Sequence, residues 1–405
     1  MNVVVASPVW SLNGVNVFAA NLVRGLGALG IRSHLLLTRP DMFDSKPMPL
    51  PRDIPVELLP VNKHASWPAR WRAMIRYLEE RAPCIYVPNY DFWHSCVSPQ
   101  LTGSVGVVGI IHSDDHQHYE HAARLAHCWN AVVAVSTRIA ERAALSEAIP
   151  ASRLVTIPYG VQVPDRMPQR CADKNTPLKV VYAGRLVQRQ KRVLDLVKVV
   201  EMAVAHNIPV QLTIIGSGPE REQLQEACRG LMAREIVHFP GTVSNQQVIE
   251  ILARSDAFIL TSEYEGMPLS LLEAMGTGCV PVVTDTPSGI PELVQDGING
   301  FRVPVGDIQK FVERLAILHG DTALRRELSS RAYGAIRSGG YEVQEMVQNY
   351  LKVFERVRKE TEDRSFHRPG GKILPPPSLT WRDYLPFPLQ HMIGDIKHLL
   401  HVRRK

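Results

Sequence analysis

Glu265 and Glu273 stand eight positions apart in the segment Glu265-Gly-Met-Pro-Leu-Ser-Leu-Leu-Glu-Ala-Met275. Between them, Gly266 and Pro268 are suited to starting a helix directly after the apolar run 256–261. Pro268 fits the first helical position, where its missing N–H costs nothing. The unpaired amides of that turn, from Met267 through Leu269 and Ser270 to Leu271, then form an anion cradle reinforced by the helix dipole. Glu265 falls on the loop before the cradle and Glu273 about one turn inside the helix. An anion at the tip would have a carboxylate on either side. That chemistry suits a ligand with phosphate in the middle and hydroxyl-bearing groups at both ends, as in a nucleotide sugar.

Cations for such an anion stand after an earlier strand. Ala183-Gly184-Arg185 follows it, and Lys191 comes six residues later. The Arg fork matches phosphate oxygens and Lys adds a mobile point charge. Each such charge-assisted bond contributes about 1.5–3 kcal/mol. A departing diphosphate needs these partners because negative charge builds on it. Phe239-Pro240-Gly241 ends another strand and could line an apolar slot for a base, or be an ordinary turn. Ile215-Gly-Ser-Gly-Pro219 permits close backbone approach, and a plain turn is at least as good a reading. Near the N-terminus, Gly14 in Ser11-Leu-Asn-Gly-Val15 would bring main chain close to the substrate. His112 follows the apolar run 107–111, where a neutral imidazole can hydrogen-bond a sugar hydroxyl.

Two further patterns are set aside. Gly25-Leu-Gly-Ala-Leu-Gly30 spells the dinucleotide fingerprint, but at the end of a helix and not after a strand. His116, His118 and His121 with Asp114, Asp115 and Glu120 gather like metal ligands. Their spacing matches no standard motif, and most should be solvated at a helix start, so a metal is not expected.

The elements that must position these residues alternate. In the first half, 3–7, 33–38, 84–87, 105–111, 131–135 and 154–157 read as strands, with helical patterns at 17–29 and 69–81. In the second, strands at 179–182, 211–215, 236–239, 257–260 and 280–283 alternate with helices at 193–206, 220–233 and 246–254. This is an α/β fold with two parallel-sheet, Rossmann-like domains facing each other across a cleft. Ligands of such sheets bind at the carboxyl ends of the strands. The expected division is a domain at 1–165, a second at 176–345, and a C-terminal helix with a Pro-interrupted basic tail at 346–405. The hinge candidate is 158–177, rich in Pro, Asp, Gln and Arg.

Composition limits the partners. A chain of 405 residues, 45% hydrophobic and 21% charged, has the composition of a folded protein of two domains. A net charge of +6 is too small and too dispersed for nucleic acid, but it suits an anionic substrate. The six cysteines are scattered without a C-x-x-C pair, which reads as reduced thiols in a cytoplasm. The N-terminus reads as a first strand and not a signal peptide, and no apolar stretch approaches the length that crosses a bilayer. In the tail, Leu389, Met392, Ile393, Ile396, Leu399 and Leu400 have helical spacing, with Lys397 on the polar side and Arg403-Arg404-Lys405 at the end. That helix either packs on the protein or lies on an anionic membrane.

Taken together, these motifs resemble retaining GT-B glycosyltransferases of the family-four group (glycosyl transferases group 1). The hallmark E-G-x-P-x-x-x-x-E-A-M stands at 265–275, continuing to Pro281-Val-Val283 with one residue extra beside Cys279. Ala-Gly-Arg185 with Lys191, Ile-Gly-Ser-Gly218, Phe-Pro-Gly241, Gly289-Ile-Pro-Glu292, Ile111-His112 and Ile157-Pro-Tyr-Gly-Val161 match as well. The resemblance spans about residues 1–355. It implies that Arg185 and Lys191 neutralise the diphosphate, Glu273 binds the ribose hydroxyls, and Glu265 contacts the donor sugar at its reacting centre. The amides from Gly266 to Leu271 would hold phosphate and sugar, Phe239, Pro240 and Gly241 would flank the base, and His112 and Gly14 would approach the sugar from the first domain. Three positions depart from the pattern: Asn13 stands for a glycine, Tyr159 for the common Asn, and Arg192 for a small residue.

The resemblance implies a metal-independent, retaining glycosyltransferase with no cofactor beyond its nucleotide-sugar donor. The expected acceptor is a glycan or a lipid-linked sugar, in cell-surface polysaccharide or glycolipid synthesis. The expected place is the cytoplasm, or the inner face of the membrane through the tail. A donor-binding protein without catalysis and a sugar-nucleotide epimerase are the alternatives on the same fold.

Overall fold

The computed structural model describes residues 1–11, 13–39, 50–170, 175–241, 243–377 and 385. The first sheet is built from β1 (Asn2–Ser7), β2 (Arg32–Leu37), β3 (Val56–Leu58), β4 (Cys84–Pro88), β5 (Val105–Ile111), β6 (Ala131–Ala134) and β7 (Leu154–Thr156). The second contains β8 (Leu178–Ala183), β9 (Val210–Ile215), β10 (Val237–Gly241), β11 (Ala257–Leu260), β12 (Val280–Thr284) and β13 (Phe301–Val303). All pairings are parallel. The strand order is β3-β2-β1-β4-β5-β6-β7 in one sheet and β10-β9-β8-β11-β12-β13 in the other. Central strands such as β5 and β12 are buried along their whole length, as expected when helices cover both faces of a parallel sheet.

In both sheets the order reverses between the first and fourth strands, and such switch points open a crevice at the strands' carboxyl ends. β1 and β4 place the loops bearing Gly14 and Asn89 at one crevice. β8 and β11 place the loops bearing Arg185 and Glu265 at the other. The edge strands β3 and β13, three residues each, had no readable period in the sequence. The helical pattern at 220–233 is broken at Cys228 into Arg221–Ala227 and Arg229–Ala233.

The chain crosses between the domains twice, and the crossings lie side by side. Val161 accepts from and donates to the segment at Tyr341 and Val343 (2.9 and 3.2 Å). A Cβ on Gly160 would meet the carbonyl oxygen of Glu342 at 2.7 Å. The following helix, Val343–Glu362, packs on the first domain. Val347 fills the space at Gly25 and Val357 that at Gly106, where an added Cβ would approach each valine to 2.4 Å. The helix Gly14–Ala28 ends before Gly30, which has φ +73°, so the 25–30 glycines serve helix contact and termination.

Beyond that helix the chain continues as a strap on the first domain. Arg368 is buried there without a carboxylate. Its guanidinium donates to the carbonyls of Cys128, Leu101, Thr102 and Val105 and to Asn130 Oδ1. Burial pushes its pKa down to about 10, so it stays charged at neutral pH. Arg124 then holds the carbonyls of Leu374 and Pro375, and the Leu374 amide donates to Cys96. The tail residues Leu389, Met392, Ile393, Ile396, Lys397, Leu399, Leu400 and 403–405 lie outside the described residues. Among the described residues no helix is long and apolar enough to cross a membrane.

Replacing Arg368 by Ala should remove about 2–4 kcal/mol, since several carbonyls lose a charged donor at once. Urea unfolding and proteolysis of the strap measure this. Arg368→Lys should recover less than half, because an ammonium lacks the planar fork.

Candidate active site

The loop after β11 is pinned from several sides. Glu265 is 4% exposed, and its Oε1 accepts from Lys191 Nζ (2.5 Å) and from Ser262 Oγ (2.6 Å). Oε2 makes no hydrogen bond among the described residues. The Gly266 carbonyl accepts from the Gly289 amide at 2.6 Å. A Cβ on Gly266 would lie 2.4 Å from the carbonyl oxygen of His112, so glycine is needed here for main chain of the two domains to touch. Gly14 faces the same segment, with its Cβ position 3.4 Å from the Cβ of Leu269.

The helix after the loop is Leu269–Gly276, and Pro268 is its N-cap, one position earlier than expected. Its ψ of 109° is extended, and its carbonyl receives the amides of Leu271 and Leu272 (3.1 and 3.3 Å). Leu271 is therefore not part of the anion cradle. Among the described residues, the amides of Met267, Leu269 and Ser270 have no hydrogen-bond partner.

Arg185 lies on the loop after β8, and Lys191 ends the short helix Gln188–Lys191 that follows it. Arg185 is exposed, and its Nη2 donates to Gln190 Oε1 (2.5 Å), while Gln190 Nε2 donates to the carbonyl of Tyr264 (3.3 Å). Gln190 thus ties the arginine to the residue preceding Glu265. The glycines at 216 and 218 explain how this loop is held: their Cβ positions would lie 1.9 Å from the Gly184 carbonyl oxygen and 2.1 Å from that of Leu186. That motif buttresses the Arg185 loop through main-chain contact. Arg192 has φ +47° and binds Asp195 and Glu263 (2.8 Å each), which ties its turn to the helix that follows and to the loop bearing Glu265.

Glu273 lies in the helix, 8% exposed, with one hydrogen-bond partner among the described residues: Asn245 Nδ2 donates to its Oε1 at 3.3 Å. Desolvation pushes its pKa up from 4.5 to about 8. Asn245 opens the helix that follows β10, so Phe239, Pro240 and Gly241 lie just upstream of the residue that contacts Glu273. Phe239 is half-buried, Pro240 is exposed and Gly241 has φ +83°.

His112 faces these groups from the first domain. It is 5% exposed, and burial drives its pKa well below the usual imidazole range, with the His118 charge adding to the effect. The ring is neutral. Nδ1 lies 2.6 Å from the Tyr159 hydroxyl, and the two rings stack. Among the described residues that hydroxyl has no other acceptor for its proton, so it donates to Nδ1 and leaves the ring proton on Nε2. Nε2 is buried and has no partner among the described residues. Asn13, another departure, caps the first helix: its side chain accepts from the Asn16 amide at 2.9 Å.

The neighbouring histidines are not solvated as expected. His118 and His121 are buried; burial lowers their pKa to about 4 and about 3, and His121 Nε2 meets Ser95 Oγ at 2.8 Å. The helix His116–Leu125 turns these two residues inward and leaves His116 exposed. Among the described residues no group of three or more His, Cys, Asp or Glu side chains is set to hold a metal ion. Gln190, Ser262 and Asn245 contact the candidate site residues, and the sequence reading missed them. They reach the cleft through tertiary contact and carry no motif of their own.

Each domain matches a family model. Residues 12–163 match "Glycosyltransferase Family 4" and residues 165–335 match "Glycosyl transferases group 1". The N-acetyl-alpha-D-glucosaminyl L-malate synthase of Bacillus anthracis is 31% identical over 176 residues, 44% of this chain and 45% of that one. The lipopolysaccharide 1,6-galactosyltransferase of Salmonella typhimurium is 32% identical over 160 residues, 38% of this chain and 44% of that one. The matches span less than half the length of these curated relatives. Among solved structures, the pneumococcal O-GlcNAc transferase GtfA in complex with UDP and GlcNAc superposes with a TM-score of 0.71 at 14% identity, over 88% of this chain and 99% of that one. Anabaena HepE in complex with UDP-glucose gives 0.69 at 17% identity, over 88% and 100%. These likenesses show the GT-B fold, and the two family models place the chain among the GT-B glycosyltransferases of the family-four type.

Because the folded pKa of Glu273 lies above its ordinary value, its stabilising contribution is complete below pH 4.5 and is lost as pH rises toward 8. Glu273→Gln should therefore melt higher than the unsubstituted protein at pH 8, by about 2–4 °C or more, with the gap closing toward pH 5. Thermal melts across that range check it; equal melting temperatures at pH 8 would refute the burial argument.

Proposed function

We propose that this member of the family transfers a sugar from a nucleotide-sugar donor to an acceptor hydroxyl, with retention of anomeric configuration and without a metal. The reading rests on one observation: the Lys191–Glu265 pair lies beside a helix tip whose amides at Met267, Leu269 and Ser270 have no partner, opposite a neutral His112 with an unpartnered Nε2. The pneumococcal protein's complex with UDP and GlcNAc and the Anabaena protein's with UDP-glucose support a nucleotide-sugar ligand on this fold.

In this mechanism the diphosphate lies against the helix tip, Lys191 and Arg185. As the bond from the anomeric carbon to the diphosphate oxygen breaks, charge gathers on the leaving oxygen, where these groups are already oriented. His112 donates from Nε2 to a donor-sugar hydroxyl. Glu265 holds Lys191 and turns Oε2 to the sugar, and Glu273 accepts from the ribose hydroxyls. The amides near Gly266, with Leu269 and Gly14 closing the wall, exclude water. Phe239, Pro240 and Gly241 flank the base. The acceptor oxygen bonds the anomeric carbon on the face the diphosphate leaves, and its proton passes to the departing oxygen. The acceptor is a glycan or lipid-linked sugar in cell-surface polysaccharide or glycolipid synthesis. The protein works in the cytoplasm or on the inner face of the membrane.

Lys191→Ala should lower turnover about 10²–10³-fold in a protein that still folds, the magnitude for removing one preorganised charge partner. Circular dichroism and a product assay over a panel of nucleotide sugars measure both, and normal turnover in folded protein would overturn the phosphate role. In the same assay, a glycoside product excludes a donor-binding protein, and a released epimerised sugar points to an epimerase. Deleting residues 386–405 should reduce recovery of the protein on anionic vesicles; unchanged recovery removes the membrane role of the tail.

A further inference from the structure

Tyr90 is the only Phe, Tyr or Trp side chain among the described residues that is left exposed, at 44%. It also has φ +56°, a left-handed backbone that a bulky residue adopts only under constraint. The constraint comes from its neighbours, both fully buried. Asn89 Nδ2 donates to Ser7 Oγ (2.9 Å) and to the Val15 carbonyl (3.1 Å). The Asp91 carboxylate accepts from Thr38 Oγ1 (2.5 Å) and lies 3.0 Å from His94 Nδ1. Two buried polar anchors thus hold one large ring out of the core.

The ring is held out into the cleft. It follows β4 at the switch point of the first sheet, with its centroid 6.4 Å from His112, 5.2 Å from His118 and 5.2 Å from Phe92. From the second domain, Arg185 and Tyr264 are close enough to act electrostatically on its hydroxyl. A strained, exposed aromatic between the neutral histidine and the phosphate-facing arginine has no packing role that explains its exposure. Its apolar face suits the C–H face of a pyranose, and its hydroxyl suits a sugar hydroxyl.

We propose that Tyr90 is the stacking platform for the sugar ring of the acceptor, so that the acceptor is a pyranoside and not a simple polyol. This rests on the transferase reading above. Phe92 and His118 back the ring, and the anchors at Asn89 and Asp91 fix its orientation before the acceptor arrives.

The test uses the full chain with UDP, GDP and ADP as nucleotide probes. Methyl β-D-glucopyranoside, methyl β-D-galactopyranoside and methyl α-D-mannopyranoside serve as pyranose probes, with glycerol as the polyol control. Saturation-transfer NMR reads glycoside binding and calorimetry reads nucleotide binding. The unsubstituted protein should bind at least one glycoside, and Tyr90→Phe should keep that binding within about threefold. Tyr90→Ala and Tyr90→Gly should weaken it at least tenfold while nucleotide affinity changes less than twofold. Tyr90→Gly should melt no lower than Tyr90→Ala, because glycine accepts the left-handed backbone, and this separates loss of the ring from loss of the fold. Glycoside binding unaffected by both variants, binding of none of the three glycosides, or glycerol binding as well as the glycosides would overturn the platform. Failure to bind any nucleotide would instead remove the transferase reading on which it rests.

Discussion

The arrangement depends on a contact between two main chains. At Gly266 the loop after β11 runs so close to the carbonyl of His112 that no side chain fits between them. The same residue is fixed from behind by the Gly289 amide. Glu265, on one side, is pinned through a single oxygen by Lys191 and Ser262, and the helix tip begins on the other. Main-chain contact has no rotamers to lose, so the cleft groups are placed with little conformational freedom left to freeze. Arg185 joins by a longer route, through Gln190 to the Tyr264 carbonyl.

Much of this was legible in the sequence because it is local. A strand followed by glycine and a cation, or by glycine, proline and a carboxylate, identifies a βα turn. Both sheets were readable because their central strands are continuous apolar runs. What escaped depends on longer-range geometry. Pro268 moved from the first helical position to the cap because its carbonyl is needed for Leu271 and Leu272. His118 and His121 look solvated in sequence, but their helix turns them inward, where burial makes them neutral. The three-residue edge strands β3 and β13 show no period, whereas β7, equally short, falls in the apolar run 154–157. Tyr159 stood out as a departure, yet nothing in its neighbours in sequence indicates that its hydroxyl meets His112, 47 positions away.

Several cleft groups are poorly satisfied in the isolated chain. Glu273 has a single long hydrogen bond and is raised toward neutrality, and His112 Nε2 is buried without a partner. Tyr90 adds backbone strain. Arg368 is the opposite case: its fork serves four carbonyls and an amide oxygen.

The paired crossings at Val161 and Tyr341 have a topological consequence. The chain enters the second domain and leaves it at one point, then returns in the helix Val343–Glu362 to finish on the first. The second domain is therefore an insertion whose two ends are neighbours in space. It forms a cassette: a module of different nucleotide preference could replace it across a single seam without rerouting the host domain's chain, and any relative swing of the two modules must pivot on that seam.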